Sequence, residues 1–121
     1  MTSARLERWI TRKFRLRHIE LIAELYDSRS ILKASRRLSL TQPTVTKALQ
    51  DIEATLGLRL FERSNRGLAP TAYGEIFARH AKIVLAQLRH AAEELEDLRV
   101  GYSGKVSVGE NAITLVKLTY K

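Results

Sequence analysis

The sequence predicts a mainly α-helical protein that ends in one long helix, and three observations support this. Two short helical stretches with a tight polar break between them lie in residues 30–56. A turn-rich run at residues 64–67 separates two short β-prone stretches. Apolar residues then recur at spacings of four and three through residues 77–98 without a break. These elements, in this order, predict a winged helix-turn-helix followed by a long dimerisation helix.

The chain begins with a basic N-terminal extension, residues 1–13. Its cations surround Trp9 and Ile10, and they are Arg5, Arg8, Arg12 and Lys13. The segment is interpreted as a frayed helix or an arm. It is expected to be a solvated extension, and the alternative is extra contact with phosphates.

A first amphipathic helix is predicted over residues 14–28, where it would support the two-helix unit. Its apolar side is expected to consist of Leu16, Ile19, Ile22, Ala23 and Tyr26. Arg29 follows, at a turn that favours a left-handed residue, and arginine adopts that conformation less readily than glycine.

The two-helix unit itself starts at Ser30, a good N-cap residue. Arg36 projects from its first helix together with Lys33 and Arg37, and helices in this position commonly cross the DNA backbone. We expect phosphate contacts from some of these cations, with plain solvation as the alternative.

The second helix of the unit has an apolar stripe and a polar face. Thr41 can cap it, and Pro43 lies in its first turn, where a missing N–H costs nothing. The stripe consists of Val45, Leu49, Ile52 and Leu56. The opposite side is short, polar and cationic, as a helix in a major groove requires. Its candidate DNA contacts are Thr41, Gln42, Pro43, Thr44, Thr46, Lys47 and Gln50.

Individual roles follow from side-chain chemistry. Gln42 can pair bidentately with adenine, and Lys47 can donate to guanine acceptors or to a phosphate. Thr41 can donate to a phosphate at the helix N-terminus, or serve simply as the cap. Asp51 and Glu53 lie farther along the helix and are expected to face solvent or an arginine.

A short hairpin is predicted over residues 58–69, after a helix end at Gly57. In a winged helix-turn-helix this hairpin is the wing, with Leu60 and Phe61 packed beneath it. Its candidate minor-groove or phosphate contacts are Arg63, Asn65 and Arg66. Arg63 could instead only neutralise a phosphate or pair within the wing.

The last helix is predicted over residues 72–100, capped by Thr71. At 1.5 Å per residue it would be about 40 Å long, too long for so small a domain to bury. Its coiled-coil seam would consist of Phe77, Ala81, Val84, Leu88, Ala91, Leu95 and Leu98. Basic residues early in the helix and acidic ones late favour an antiparallel pair. The alternative is a helix packed on its own chain.

These residues together resemble the DNA-binding region of LysR-type transcriptional regulators, over roughly residues 14–100. The resemblance departs at three positions, where Arg29, Ser35 and Pro70 replace the usual glycine, alanine and leucine. The matching residues, in order, are Leu16, Ile19, Ile22, Ser30, Ala34, Leu38, Thr41, Gln42, Pro43, Ile52, Glu53, Leu56, Gly57, Leu60, Phe61, Arg63, Thr71 and Gly74.

The resemblance implies the same organisation as the residues do. In that family a winged helix-turn-helix, here residues 14–71, precedes a linker helix that pairs two regulators and sets the distance between their recognition helices. It also points to Gln42, Pro43, Thr46 and Lys47 as the positions that meet bases.

Residues 101–121 are interpreted as a hinge followed by a truncated start of an effector domain. Lys105–Gly109 has the alternation of one strand. In the family such a joint and strand open a larger ligand-sensing domain. Because only twelve residues follow that strand, we expect the small-molecule inducer site to be absent and the chain to be a fragment or a truncated regulator.

Composition narrows the function class. The net charge is +8, and residues 1–71 hold 14 Lys/Arg against 7 Asp/Glu, whereas residues 72–121 hold 7 against 6. The basic surplus therefore lies with the helix-turn-helix, where a polyanion would bind with strong salt dependence. The chain has no cysteine, no apolar run of membrane-spanning length and no signal-peptide pattern, so a cytoplasmic protein with no membrane partner is expected.

No catalytic, metal or cofactor motif stands out. The sequence predicts a sequence-specific regulator that is not an enzyme and that binds an interrupted inverted repeat of double-stranded DNA as a homodimer. Two alternatives remain. One is a truncated interaction module that pairs with full-length regulators through the linker helix. The other is a non-specific basic DNA-binding protein.

Overall fold

The structure is a computed structural model that describes residues 3–102, which fall into two compact units divided between Ile83 and Val84. The elements in chain order are α1 Ser3–Arg12, α2 Leu16–Ser28, α3 Ile31–Leu38, α4 Gln42–Leu56, β1 Phe61–Ser64, β2 Gly67–Pro70 and α5 Ala72–Tyr102. This confirms the predicted mainly helical class with a two-stranded wing and a long last helix. Within residues 3–102, no helix has the length and apolar character needed to cross a bilayer.

Local residues set the ends of the central helices, as the sequence predicted. The Ser30 hydroxyl accepts the Lys33 N–H at 3.1 Å, and Gly57 ends α4 in the left-handed conformation with φ 72°. Ser39, in the break between α3 and α4, and Arg29, after α2, also have positive φ, at 58° and 55°. Arg29 thus occupies the left-handed turn expected there, and its Nε donates to the Tyr26 carbonyl at 2.6 Å.

The core of the first unit lies between α2, α3, α4 and the wing. The predicted α4 stripe is buried, with each side chain at most 6% exposed. On α2 the expected apolar side is only partly right, because Leu16 is 46% exposed whereas Leu21 and Leu25 are buried. Phe14 packs against the core from a position two residues earlier. The buried hydrophobic residues are Leu21, Ile22, Ala23, Leu25, Ala34, Val45, Leu49, Ile52, Leu56, Leu60, Phe61, Leu68, Ala78 and Ala81.

The wing is an antiparallel pair in which Phe61 faces Pro70 and Ser64 faces Gly67. Its inner side is tied to the turn after α2, where the Leu68 N–H donates to the Arg29 carbonyl at 3.1 Å. A Cβ at Gly67, whose φ is 111°, would lie 2.7 Å from the same carbonyl oxygen. The close backbone approach therefore requires glycine at this position.

Helix α1 packs against the core, which a solvated extension would not do. Leu6 and Trp9 pack against the core, and the Trp9 ring lies edge-on to Phe14 with centroids 5.2 Å apart. Phe14 in turn lies 4.9 Å from Phe77. The expectation of a frayed helix or arm is thus replaced by a helix anchored through its aromatic residue.

The part of α5 that belongs to the first unit is held against α2. The Thr71 hydroxyl accepts the Gly74 N–H at 3.2 Å, which confirms the predicted cap. Lys82 donates to Asp27 at 2.6 Å, and Tyr26 donates to Glu75 at 2.8 Å.

Two predicted dimerisation residues lie on this anchored part of α5. Ala81 is 2% exposed, and Phe77 is partly buried against the core of its own chain. The first unit already covers these two side chains, so the predicted alternative, a helix packed on its own chain, is correct for Phe77 and Ala81. The remaining seam residues belong to the second unit.

The helix continues farther than predicted, through Gly101 to Tyr102. The predicted hinge therefore does not begin at Gly101. The rest of the hinge and the predicted strand at Lys105–Gly109 lie outside the described residues.

Candidate nucleic-acid interface

The candidate interface is centred on the N-terminal half of α4. Gln42, Pro43, Thr44, Lys47 and Gln50 are exposed, and Thr46 is half-buried. They lie on the sides of α4 that its buried stripe leaves free. Because four apolar side chains hold the helix against the core, the helix cannot rotate without exposing them. The polar face is therefore presented in one fixed orientation.

The start of the helix is closed by two threonines. The Thr41 hydroxyl accepts the Thr44 N–H at 3.3 Å, and the two side-chain oxygens lie 2.7 Å apart. Thr41 is therefore the N-cap, as predicted. Either threonine can donate its hydroxyl proton to the other, so one of the two is available to an incoming phosphate oxygen at this positive end of the helix.

Lys47 lies beside an acid of its own helix. Its Nζ is 3.3 Å from Asp51 Oδ2, and the two side chains are 76% and 65% exposed. An exposed pair of this kind contributes at most about 1 kcal/mol, and less at higher salt. Lys47 can therefore exchange Asp51 for a phosphate or a base at small cost.

The wing contacts the polar face of α4 through the side chain of Arg63. Arg63 Nη2 donates to Thr46 Oγ1 at 3.1 Å, although 17 residues separate them along the chain. The other two candidate wing residues, Asn65 and Arg66, form the exposed turn between β1 and β2, with the Arg66 N–H donating to the Ser64 hydroxyl at 3.2 Å. The structure thus joins Arg63 to α4, whereas Asn65 and Arg66 stand at the tip.

The cations of α3 are exposed, as predicted. Arg36 and Lys33 are exposed, and Arg37 lies 3.7 Å from Glu24. Ser35 between them is buried, and its hydroxyl donates to the Leu32 carbonyl at 2.7 Å. The hydroxyl that replaces the family's usual alanine is therefore satisfied within the helix.

One acidic residue of α4 was misread from the sequence. Glu53 was expected to face solvent or an arginine, but its Oε2 accepts the backbone N–H groups of Leu60 at 2.7 Å and Phe61 at 3.1 Å. It therefore anchors the entry to the wing. A signal was present, because an acid in the last turn of a helix opposes the helix dipole and so calls for another partner.

The histidines take no part in this face. The Nδ1 of His18 accepts the Arg15 N–H at 3.0 Å and so closes the start of α2. Burial, followed by the charges of Arg17 and Arg15, lowers the pKa of His18 below its ordinary 6.5. Among the described residues, no group of three or more His, Cys, Asp or Glu side chains could hold a metal ion.

Comparison with known sequences identifies the family. The profile of the bacterial regulatory helix-turn-helix proteins of the lysR family matches residues 16–75, from the start of α2 into α5. The chain belongs to the LysR family through this domain. It is 42% identical over 106 residues to the transcriptional regulator GbpR of Azospirillum brasilense, covering 88% of this chain and 31% of that protein.

A second relative gives the same result. The regulator PcaQ of Agrobacterium fabrum is 30% identical over 112 residues, covering 93% of this chain and 36% of PcaQ. The chain therefore spans about a third of the length of these LysR-family relatives. Both are named as transcriptional regulators.

Solved structures of the family share the fold. The DNA-binding domain of BenM, in complex with benA site 1 DNA, superposes on this chain with a TM-score of 0.66 at 26% identity, covering 72% of this chain and 98% of that one. The DNA-binding domain of CbnR, also in complex with DNA, superposes with a TM-score of 0.61 at 29% identity, covering 69% of this chain and 95% of that one. Both neighbours were solved with DNA bound.

Proposed function

We propose that this chain binds double-stranded DNA sequence-selectively, as the DNA-binding part of a LysR-type transcriptional regulator. The observation that carries the proposal is the fixed, outward polar face of α4 opposite its buried stripe. A helix of this kind fits the width of a major groove, where each base pair shows a distinct pattern of donors and acceptors. The DNA complexes of the BenM and CbnR domains support it.

The geometry suggests a division of labour. Gln42, Thr46 and Lys47 would meet base edges, while Thr41 and Arg36 would contact phosphates and set the register. Arg63 would reach the phosphate backbone or the minor groove beside α4, positioned by its hydrogen bond to Thr46. Asn65 and Arg66 would extend that contact at the wing tip.

We further infer that two copies pair through α5 and read an interrupted inverted repeat. The second unit supports this, because Val84, Leu88 and Leu95 are 40%, 49% and 68% exposed at spacings of four and seven. Ala91 and Leu98 complete the same helical stripe. In this organisation residues 14–71 bind DNA, and α5 links and pairs the two copies.

Binding measurements with point variants test the proposal. Lys47→Ala and Gln42→Ala are each expected to weaken binding to a selected site by about 1–3 kcal/mol while leaving the fold intact. Arg17→Ala is the matched control for Lys47, because it also removes one exposed helical cation, on α2, and is not among the candidate DNA contacts. Equal losses on selected and random duplex at one salt concentration would mean that α4 touches only the backbone, as in a non-specific DNA-binding protein.

A further inference from the structure

The outward face of α4 carries one acid. Within α4, which the structure describes in full, the acids are Asp51 and Glu53, and Glu53 accepts the backbone N–H groups that open the wing. Asp51 is exposed and lies about 40° around the helix from Lys47, on the side opposite the buried stripe. A carboxylate therefore stands in the middle of the face proposed to enter the major groove.

This placement of Asp51 is unfavourable unless the carboxylate gains a partner in the complex. The phosphates of DNA repel a carboxylate, so an acid on a DNA-facing helix weakens binding to every sequence unless a base donates to it. Helix stability does not account for Asp51 either, because an i,i+4 ion pair is less favourable when the cation precedes the acid. A contact with DNA explains the position better.

Lys47 and Asp51 form one composite unit of donors and acceptors. The Nζ of Lys47 lies 3.3 Å from Asp51 Oδ2 and 3.4 Å from Oδ1. An ammonium group has three N–H donors, so two remain after one is given to the carboxylate. The carboxylate oxygens each accept more than one hydrogen bond, so they also have capacity left. The pair thus presents donors and acceptors side by side, at the spacing of one hydrogen bond.

One base-pair edge has the complementary pattern. In the major groove a G·C pair shows two acceptors, guanine N7 and O6, followed by one donor, the cytosine N4 amino group. Since O6 and N4 are Watson–Crick partners, they lie about 3 Å apart, close to the 3.3 Å between the cation and the carboxylate oxygen. The inverted pair, C·G, would put the amino group against the lysine and the acceptors against the aspartate. A T·A pair would offer the lysine one acceptor beside a methyl group.

We propose that Lys47 and Asp51 together read one G·C base pair for each copy of α4 bound, with Lys47 donating to guanine O6 and N7 and Asp51 accepting from cytosine N4. The proposal rests on the sequence-selective DNA binding proposed above, and it adds Asp51 as a residue that determines specificity. On a sequence without that base pair, Asp51 meets an acceptor or a phosphate. The wrong sequence is therefore rejected by repulsion as well as by the loss of a contact.

Selection from random duplex DNA tests the proposal, because each variant reveals the base positions that it relaxes. Wild type, Lys47→Ala and Asp51→Ala are selected in parallel. Affinities are then measured on the wild-type consensus duplex and on the same duplex with single base pairs inverted. Inverting one G·C pair is expected to weaken wild-type binding by at least about tenfold. Asp51→Ala should reduce this discrimination by at least about threefold, and Lys47→Ala should reduce it at the same base pair.

Glu20→Ala is the matched control, since it also removes one exposed helical acid, on α2, away from the candidate contacts. It is expected to leave the discrimination at every base pair unchanged. Because Asp51 is exposed and alanine is the strongest helix former, Asp51→Ala keeps α4 folded, which circular dichroism verifies.

The other results overturn the proposal in ways that differ from one another. An affinity that Asp51→Ala raises equally, or leaves unchanged, on all duplexes shows that Asp51 reads no base. Relaxation at an A·T pair, or at different base pairs in Lys47→Ala and Asp51→Ala, shows that the two side chains do not read one G·C pair together. In these cases the proposed DNA-binding function stands, since the wild type still enriches a sequence. A wild-type selection without enrichment removes that function as well.

Discussion

Glu53 provides the sharpest test of how the wing is attached to α4. Glu53→Ala removes the acceptor of two backbone N–H groups, those of Leu60 and Phe61, whose residues are 1% and 2% exposed. An N–H left without a partner in such a place costs about 1–3 kcal/mol. Two such groups lose their acceptor, but Glu53 is only half-buried, so water can take over part of the hydrogen bonding. We therefore expect the free energy of unfolding to fall by about 2–4 kcal/mol.

Glu53→Gln separates geometry from charge. Both bonds end on a single oxygen, Oε2, so the amide oxygen of glutamine can accept both. The two hydrogen bonds become weaker because their acceptor is no longer charged. The substitution also removes the unfavourable interaction of a negative charge with the C-terminal end of α4, so the net cost should be about 1 kcal/mol.

Urea unfolding followed by far-UV circular dichroism measures these differences, at one protein concentration because pairing would add to stability. Glu20→Ala, an exposed helical Glu→Ala change on α2, is the control and is expected to stay within about 0.5 kcal/mol of the wild type. The reasoning is refuted if Glu53→Ala behaves like this control, or if Glu53→Gln is as damaging as Glu53→Ala.

Three further perturbations test other contacts. Gly74→Ala would place a Cβ against the Leu60 carbonyl and should lower the free energy of unfolding by about 3 kcal/mol or more. Gly57→Ala, where a Cβ would meet open space at φ 72°, should lower it by about 1–2 kcal/mol. Similar urea midpoints for the two variants would contradict the close approach at Gly74. Because burial and neighbouring charge lower the pKa of His18, its stabilising contribution should be present above about pH 6.5 and be lost as the pH falls through the folded-state pKa. His18→Gln should therefore reduce the dependence of the free energy of unfolding on pH in this range, and an unchanged pH dependence would contradict this reasoning. Arg63→Ala and Thr46→Val should reduce DNA affinity non-additively, with a coupling of about 0.5–1.5 kcal/mol in a double-mutant cycle, and strict additivity would show that the two side chains act separately.

The central helices could be predicted from sequence because their determinants are local. A cap such as Ser30 or Thr41 acts on an N–H three residues away, and the α4 stripe follows from a spacing that one helix alone defines. A left-handed residue was likewise expected at Arg29, in the turn that follows α2. Such features need no knowledge of distant residues.

The features that sequence reasoning missed depend on contacts between distant parts of the chain. Glu53 finds its partners seven and eight residues later, beyond the helix end, and Lys82 pairs with Asp27 across 55 residues. The 4-3 spacing of α5 also could not separate Ala81, which its own chain covers, from Leu95, which is exposed. Both positions satisfy the same periodic pattern, and only the tertiary fold distinguishes them.

Selection of bound fragments from random duplex DNA, carried out in parallel with the wild type and Lys47→Ala, tests the central claim most directly. A recognition helix held with its polar face outward and doubled by pairing predicts a two-fold symmetric consensus. The half-site centres should lie about 10 base pairs apart or a multiple of that, and Lys47→Ala should lose information at specific base positions in each half-site. A library that shows no enrichment, or a consensus that Lys47→Ala leaves unaltered, would contradict the account.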